Sequence, residues 1–140
     1  MTIIDSCIVL DIAENGAYTQ KAQDALAERL KKGRVFAPDM VFAEVCSGYE
    51  KLEDVLYLFR SLNIEIVPLQ AEALFRASRA FDKFLKRNRR TQRAQIRSLK
   101  RILPDFYIGA LAEEEGIPLL TRDKKRKWTT DFPTLQIIEP

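Results

Sequence analysis

The stretch Leu103–Asp123, LPDFYIGALAEEEGIPLLTRD, decides the fold. Pro104 suits the first turn of a helix, where its missing N–H costs nothing. Ile108, Leu111 and Ala112 follow at i, i+3 and i+4 and make one apolar helical face. Gly116 closes that helix and Pro118 prevents its continuation. Leu119–Thr121 is short, apolar and bounded by breakers, which predicts a buried strand. Two carboxylates flank this unit: Asp105 in the first helical turn, and Asp123 just past the strand. In α/β sheets, ligands bind at the carboxyl ends of strands, so both acids stand where chemistry is expected.

Working outward, the rest of the chain repeats the alternation. Ile3-Ile4 predicts a first strand with Asp5 at its end, and Ser6–Ala13 a helix. Ala17–Lys32 is helical, with Ala22, Leu26 and Leu30 recurring every four residues and Gly33 as the stop. Val35–Ala37 predicts a second strand. Pro38-Asp39 opens a helix that runs to about Tyr49 and carries Glu44. Leu52–Leu62 is an amphipathic helix, Ile64–Val67 a third strand, and Gln70 to about Arg87 a further helix. Lys86–Gln95 reads either as a helical continuation or as a loop, and Ile96, Leu99 and Leu103 resume a weak helical pattern. Leu135–Ile138 predicts the last strand. Strands alternating with helices predict an α/β fold, a central parallel β-sheet flanked by α-helices. No linker or internal repeat divides residues 1–140, which are read as one domain.

Composition narrows the chemistry. Of the 140 residues, 46% are hydrophobic and 31% charged, which is a globular balance. No apolar run approaches the roughly 18 residues of a membrane span. MTIIDSC lacks the features of a signal peptide, so the expected location is cytoplasmic, with Cys7 and Cys46 reduced and in the core. The chain has no histidine. That excludes Ser-His-Asp and Cys-His catalysis and most zinc sites. A bound metal would be held mainly by oxygen, which points to Mg²⁺ or Mn²⁺.

Charge is unevenly distributed. Arg79–Arg101 holds ten basic residues and one acid, a segment charge of +9, so the remainder carries −6 against a total of +3. A basic stripe on an acidic body suggests a polyanionic partner, although charge runs are commonly just solvated faces. Arg87, Arg89, Arg90 and Arg93 are candidates to contact that polyanion, with Arg97, Lys100 and Arg101 read as nearer the acids.

Each acid also has an ordinary reading. Asp5 suits a helix N-cap, Asp105 a first-turn acid facing the helix dipole, Asp123 a turn, and Asp39 a helix entrance. Glu44 has no such reading. It lies among Phe42, Ala43, Val45 and Cys46, where a carboxylate needs a partner or a perturbed pKa. Four converging acids repel by about 4 kcal/mol per pair at ~4 Å and an effective dielectric near 20. A divalent cation relieves this, and it could activate water and stabilise charge on a phosphate. A glycosidase also uses paired carboxylates, but it needs no basic stripe and more sugar-stacking surface than one Trp and four Tyr provide.

Four segments together resemble the PIN-domain ribonucleases, in particular the VapC-like toxins of toxin–antitoxin pairs. They are IIDSCIVLDIAE, VFAEV, LPDFYIGALAEEEGIPLLTRD and DFPTLQIIEP, in that order across nearly the whole chain. The resemblance implies a single PIN-like domain, Mg²⁺ or Mn²⁺, endonucleolytic cleavage of RNA, a cognate antitoxin and a homodimer. The family's acids carry over to Asp5, Glu44, Asp105 and Asp123, with hydroxyls beside the site at Ser6 and Thr121. Two departures stand out. Cys7 replaces a frequent Asn, and the basic stretch before the third acid is longer than in many compact members. Three readings of the activity follow: a toxin endoribonuclease, a PIN nuclease of RNA processing or decay with no antitoxin, and an inactive RNA-binding module.

Overall fold

A computed structural model describes residues 1–88, 103–124 and 126–140. The expected continuation or loop beyond Asn88, and the candidates Arg89, Arg90, Arg93, Arg97, Lys100 and Arg101, lie outside the described residues.

The elements follow in the order β1 (Thr2–Ile4), α1 (Ser6–Ala13), α2 (Thr19–Lys32), β2 (Val35–Pro38), α3 (Asp39–Cys46), α4 (Leu52–Ser61), β3 (Ile64–Val67) and α5 (Ala71–Arg87). After the basic segment come α6 (Pro104–Glu114), β4 (Leu119–Leu120), α7 (Trp128–Asp131) and β5 (Ile137–Ile138). Every strand and helix expected among the described residues is present, with shorter ends in places, while the weak helical pattern of Ile96 and Leu99 lies outside them. The helix carrying Glu44 stops at Cys46 instead of near Tyr49, and the chain leaves it through successive turns at Ser47, Gly48 and Tyr49. The turn of helix α7 was not anticipated, because WTTD is too short for a periodic signal.

All five strands are parallel, in the order β3-β2-β1-β4-β5. The chain winds outward from β1 through β2 to β3, then crosses back to place β4 on the other side of β1. That reversal makes the β1/β4 edge a topological switch point, where the connections leave in opposite directions and open a crevice. Asp5 follows β1, and Thr121 and Asp123 follow β4, so the switch point gathers these three at one edge.

Helix α6 differs from its expected amphipathic form. Phe106, Ile108, Gly109, Ala110, Leu111 and Ala112 are all buried, so the helix is enclosed and not laid on the surface. Phe106 meets the rings of Phe81, Phe84 and Phe132 at centroid distances of 5.1, 5.4 and 6.0 Å. Gly109 is required by the same packing: a Cβ there would lie 2.4 Å from the Phe132 ring. The helix ends as its sequence indicated. Gly116 adopts φ +62°, and the Gly116 and Ile117 N–H groups donate to the carbonyls of Glu113 and Ala112. This close, two-sided burial fixes Asp105 at the start of α6.

Candidate functional site

Asp5 occupies the N-cap position of α1, yet its side chain makes no capping hydrogen bond. Its carboxylate instead receives the Thr121 hydroxyl at 2.6 Å and the Cys7 thiol at 3.3 Å, both on Oδ2, and the Ser6 hydroxyl at 3.4 Å on Oδ1. Asp5 is therefore turned toward Thr121 at the switch point, with side chains of the first helical turn and not its backbone N–H groups as partners. It is only 6% exposed, so hydrogen bonds replace the water it has lost. Thr121 also accepts the Asp123 N–H at 3.1 Å, which ties the β4 exit to Asp5.

Glu44, half-buried on α3, has its pKa raised. Burial is the main cause and the Asp5 charge adds to it, while a hydrogen bond from Ser6 opposes it. Ser6 thus sits between two acids. Asp105 is pushed up to about 6, first by burial, then by Asp5, with Asp123 and Glu44 contributing; Arg126 acts in the opposite direction. The helix dipole alone does not account for Asp105, because a first-turn acid that merely complements a dipole would be held low. Asp123 keeps its turn role as well, since its Oδ1 accepts the Arg126 N–H at 3.3 Å. The four sequence candidates therefore lie within electrostatic reach of one another.

Among the described residues no three Asp, Glu or Cys groups stand close enough to hold an ion jointly. The donor chemistry is nonetheless that of a hard divalent cation: oxygen ligands whose like charges raise one another's proton affinity.

Two side chains escaped the sequence reading, Arg126 and Asp131, and a third has a double place. Cys7 packs against the core as expected and also lies at the site, at the position where the resemblance put it, with Arg122 donating its N–H to Sγ at 3.4 Å. Burial and the Asp5 charge push its thiol up to about 11, so it is held as a neutral donor. Arg126, seen only as part of a basic run, has its Nε 3.6 Å from Asp105 Oδ2 and donates Nη1 to Asp131 at 2.6 Å. Its guanidinium lies over Phe106 and Trp128, 4.4 and 5.3 Å from the ring centroids. Asp131, with a side chain 2% exposed, pairs with both Arg126 and Arg87. The flanking aromatics in KWTTDF were the available signal for a buried acid there. Of the basic candidates, Arg87 alone is described, and part of its charge is committed to Asp131.

The geometry of a parallel sheet with acids at its switch point matches the PIN domain family, whose model aligns with residues 2–127; this chain belongs to that family. Similar folds occur in solved toxin–antitoxin assemblies. A chain of VapBC2 from Rickettsia felis, bound to a DNA fragment from its promoter, matches with TM-score 0.64 at 18% identity, over 99% of this chain and 97% of that one. A chain of VapBC-1 from nontypeable Haemophilus influenzae matches with TM-score 0.66 at 15% identity, over 99% and 96%. A chain of VapBC-5 from Mycobacterium tuberculosis matches with TM-score 0.60 at 19% identity, over 99% and 98%. No curated protein sequence matches this chain. No helix among the described residues is long and apolar enough to cross a membrane.

Proposed function

We propose that this PIN domain is a metal-dependent endoribonuclease and the toxin of a toxin–antitoxin pair. The observation that carries the reading is the electrostatic coupling of Asp5, Glu44, Asp105 and Asp123 at the switch point, with Asp105 raised to about 6. These four would hold Mg²⁺ or Mn²⁺, which when bound activates water and stabilises charge on a phosphate. The chain's own residues prepare the site. Thr121 and Cys7 hold Asp5 in one orientation, and Ser6 serves Asp5 and Glu44. Arg87 lines the cleft beside Asp105, and the basic composition of the sequence that follows it suits an RNA strand.

The solved assemblies named above support a cognate antitoxin as partner. A groove of about 410 Å³ lined by Asp39, Met40, Ala43, Leu69, Leu74 and Tyr107 runs beside the helix that carries Glu44. It suits a short apolar antitoxin segment, with an Arg or Lys reaching the carboxylates and competing with the metal. Val41 and Val45 of the same helix are core residues, which leaves Met40 and Ala43 to line the groove. A homodimer acting in the cytoplasm completes the proposal.

The test is cleavage of a panel of single-stranded RNAs in Mn²⁺ or Mg²⁺ and in excess EDTA. Cleavage that needs the metal and is lost in Asp5→Asn supports the reading. Cleavage unaffected by EDTA, or retained in Asp5→Asn, overturns it. Co-purification with the product of the neighbouring gene, and restored cleavage when that partner's basic residue is replaced, separates the toxin from an antitoxin-free nuclease.

A further inference from the structure

Arg126 stands between two acids and is held on several sides. Its Nη1 donates to Asp131 at 2.6 Å, and its guanidinium lies over the rings of Phe106 and Trp128. The buried Asp131 is shared with Arg87. Two guanidiniums on one carboxylate leave this cluster with one net positive charge, next to Asp105. Anchored by a carboxylate and two aromatic faces, that charge is a fixed part of the wall of the site.

Toward Asp105 the contact is of another kind. Nε lies 3.6 Å from Oδ2, an ion-pair distance too long for a hydrogen bond. Nε and Nη2 are buried and have no hydrogen-bond partner among the described residues. Buried donors are rarely left so, and an arginine–aspartate pair that serves stability alone closes into a bidentate fork. Here the attraction is kept and the hydrogen bonds are not made, so Asp105 feels a cation without being bound to it. Exposure differs in the same sense. The Asp105 side chain is 38% exposed and that of Arg126 only 12%. An incoming ion can reach the carboxylate, while the guanidinium stays behind it.

We propose that Arg126 is a built-in counter-cation of Asp105, which a divalent metal ion has to outcompete and which sets the metal affinity of the site below what its four carboxylates alone would give. This rests on the metal-dependent reading above and adds a residue that tunes it. In the metal-free protein Arg126 offsets part of the repulsion among Asp5, Glu44, Asp105 and Asp123. Once an ion is bound, the same fixed charge opposes it. A unit charge within about 6 Å of a divalent ion lowers its affinity by about tenfold even at the dielectric of water. Arg126 is therefore a positioning residue: it acts on the ion through Asp105 and through space, and it touches neither the ion nor the RNA.

The experiment is calorimetric titration of Mn²⁺ into the purified chain, with no RNA present. It is run at pH 8, where Asp105, raised to about 6, is ionised. Arg126→Gln removes the charge and keeps a polar side chain against Asp131. It is expected to bind Mn²⁺ about tenfold more tightly than the wild type. Arg126→Lys keeps the charge and should bind close to the wild type, which separates charge from packing. Melting curves with and without Mn²⁺ check that each variant is folded. Should neither fold, the wild type decides by NMR: the Arg126 Nε–Hε signal should move as Mg²⁺ saturates the site and Asp105 turns to the ion. Unchanged or weaker Mn²⁺ binding in a folded Arg126→Gln overturns the counter-cation. So does an Arg126→Lys that binds as tightly as Arg126→Gln, or an Nε–Hε signal that stays in place at saturation. Wild-type protein that binds Mn²⁺ and cleaves RNA only in its presence would in those cases leave the nuclease reading standing. Wild-type protein that takes up no Mn²⁺ would remove both.

Discussion

Asp105→Asn separates the electrostatic cost of the site from its function. The carboxyl is raised from 3.8 to about 6 by burial and by its acidic neighbours. At ~1.36 kcal/mol per unit this corresponds to a ceiling of about 3 kcal/mol against the folded, metal-free protein at pH 7. The Asp105 side chain is 38% exposed, so solvent screening reduces the figure to about 1 kcal/mol. The native state holds this proton to higher pH than the unfolded chain does. The protein is therefore most stable, as far as Asp105 is concerned, below about pH 4; stability falls between pH 4 and 6 and is level above that. Asparagine removes the charge with little change in volume. In EDTA at pH 7 the variant should melt about 3–4 °C higher than the wild type. The difference should vanish by pH 4, where both side chains are neutral. RNA cleavage in Mn²⁺ should be lost at the same time. Calorimetric melts at pH 4, 5, 6 and 7, with chemical denaturation at pH 7 as a second measure, decide it. A variant less stable than the wild type at pH 7, or a difference that does not depend on pH, would show that Asp105 is held by compensating contacts and would refute the argument.

Three further outcomes follow from the same geometry. Thr121→Val removes the 2.6 Å hydrogen bond to a nearly buried carboxylate with almost no change of shape, and should cost about 1–3 kcal/mol in urea unfolding at pH 7. Gly109→Ala should destabilise the fold by about 1–3 kcal/mol, because a Cβ would meet the Phe132 ring, even though alanine is the better helix former by ~1 kcal/mol; a more stable variant would contradict that packing. Cys7, with its thiol pushed up to about 11, should react with iodoacetamide at pH 8 far more slowly in the folded protein than in urea, as read by peptide mass spectrometry. Asp5→Asn should speed that reaction by removing one of the causes of the shift.

The sequence alone settled the alternation of elements, because periodicity and breakers are local. Gly116 and Pro118 ended one helix, Ile3-Ile4 and Leu119-Leu120 were short apolar strands, and the absence of histidine confined the chemistry to carboxylates. It also marked Asp5, Glu44, Asp105 and Asp123, since each is an acid at an element edge or within an apolar helix. Tertiary structure decided the rest. Strand order is a long-range property, and only the order β3-β2-β1-β4-β5 brings Thr121, 116 residues further along the chain, against Asp5. The burial of α6 on both sides is invisible to its weak periodicity, because a helix enclosed by neighbours has no polar face to alternate with. Arg126 and Asp131 read as surface charge in a basic run and a short polar turn. They became a fixed ion pair beside Asp105 once Phe106 and Trp128 closed over the guanidinium, since the environment of a charge is set by what packs against it and not by its neighbours in sequence.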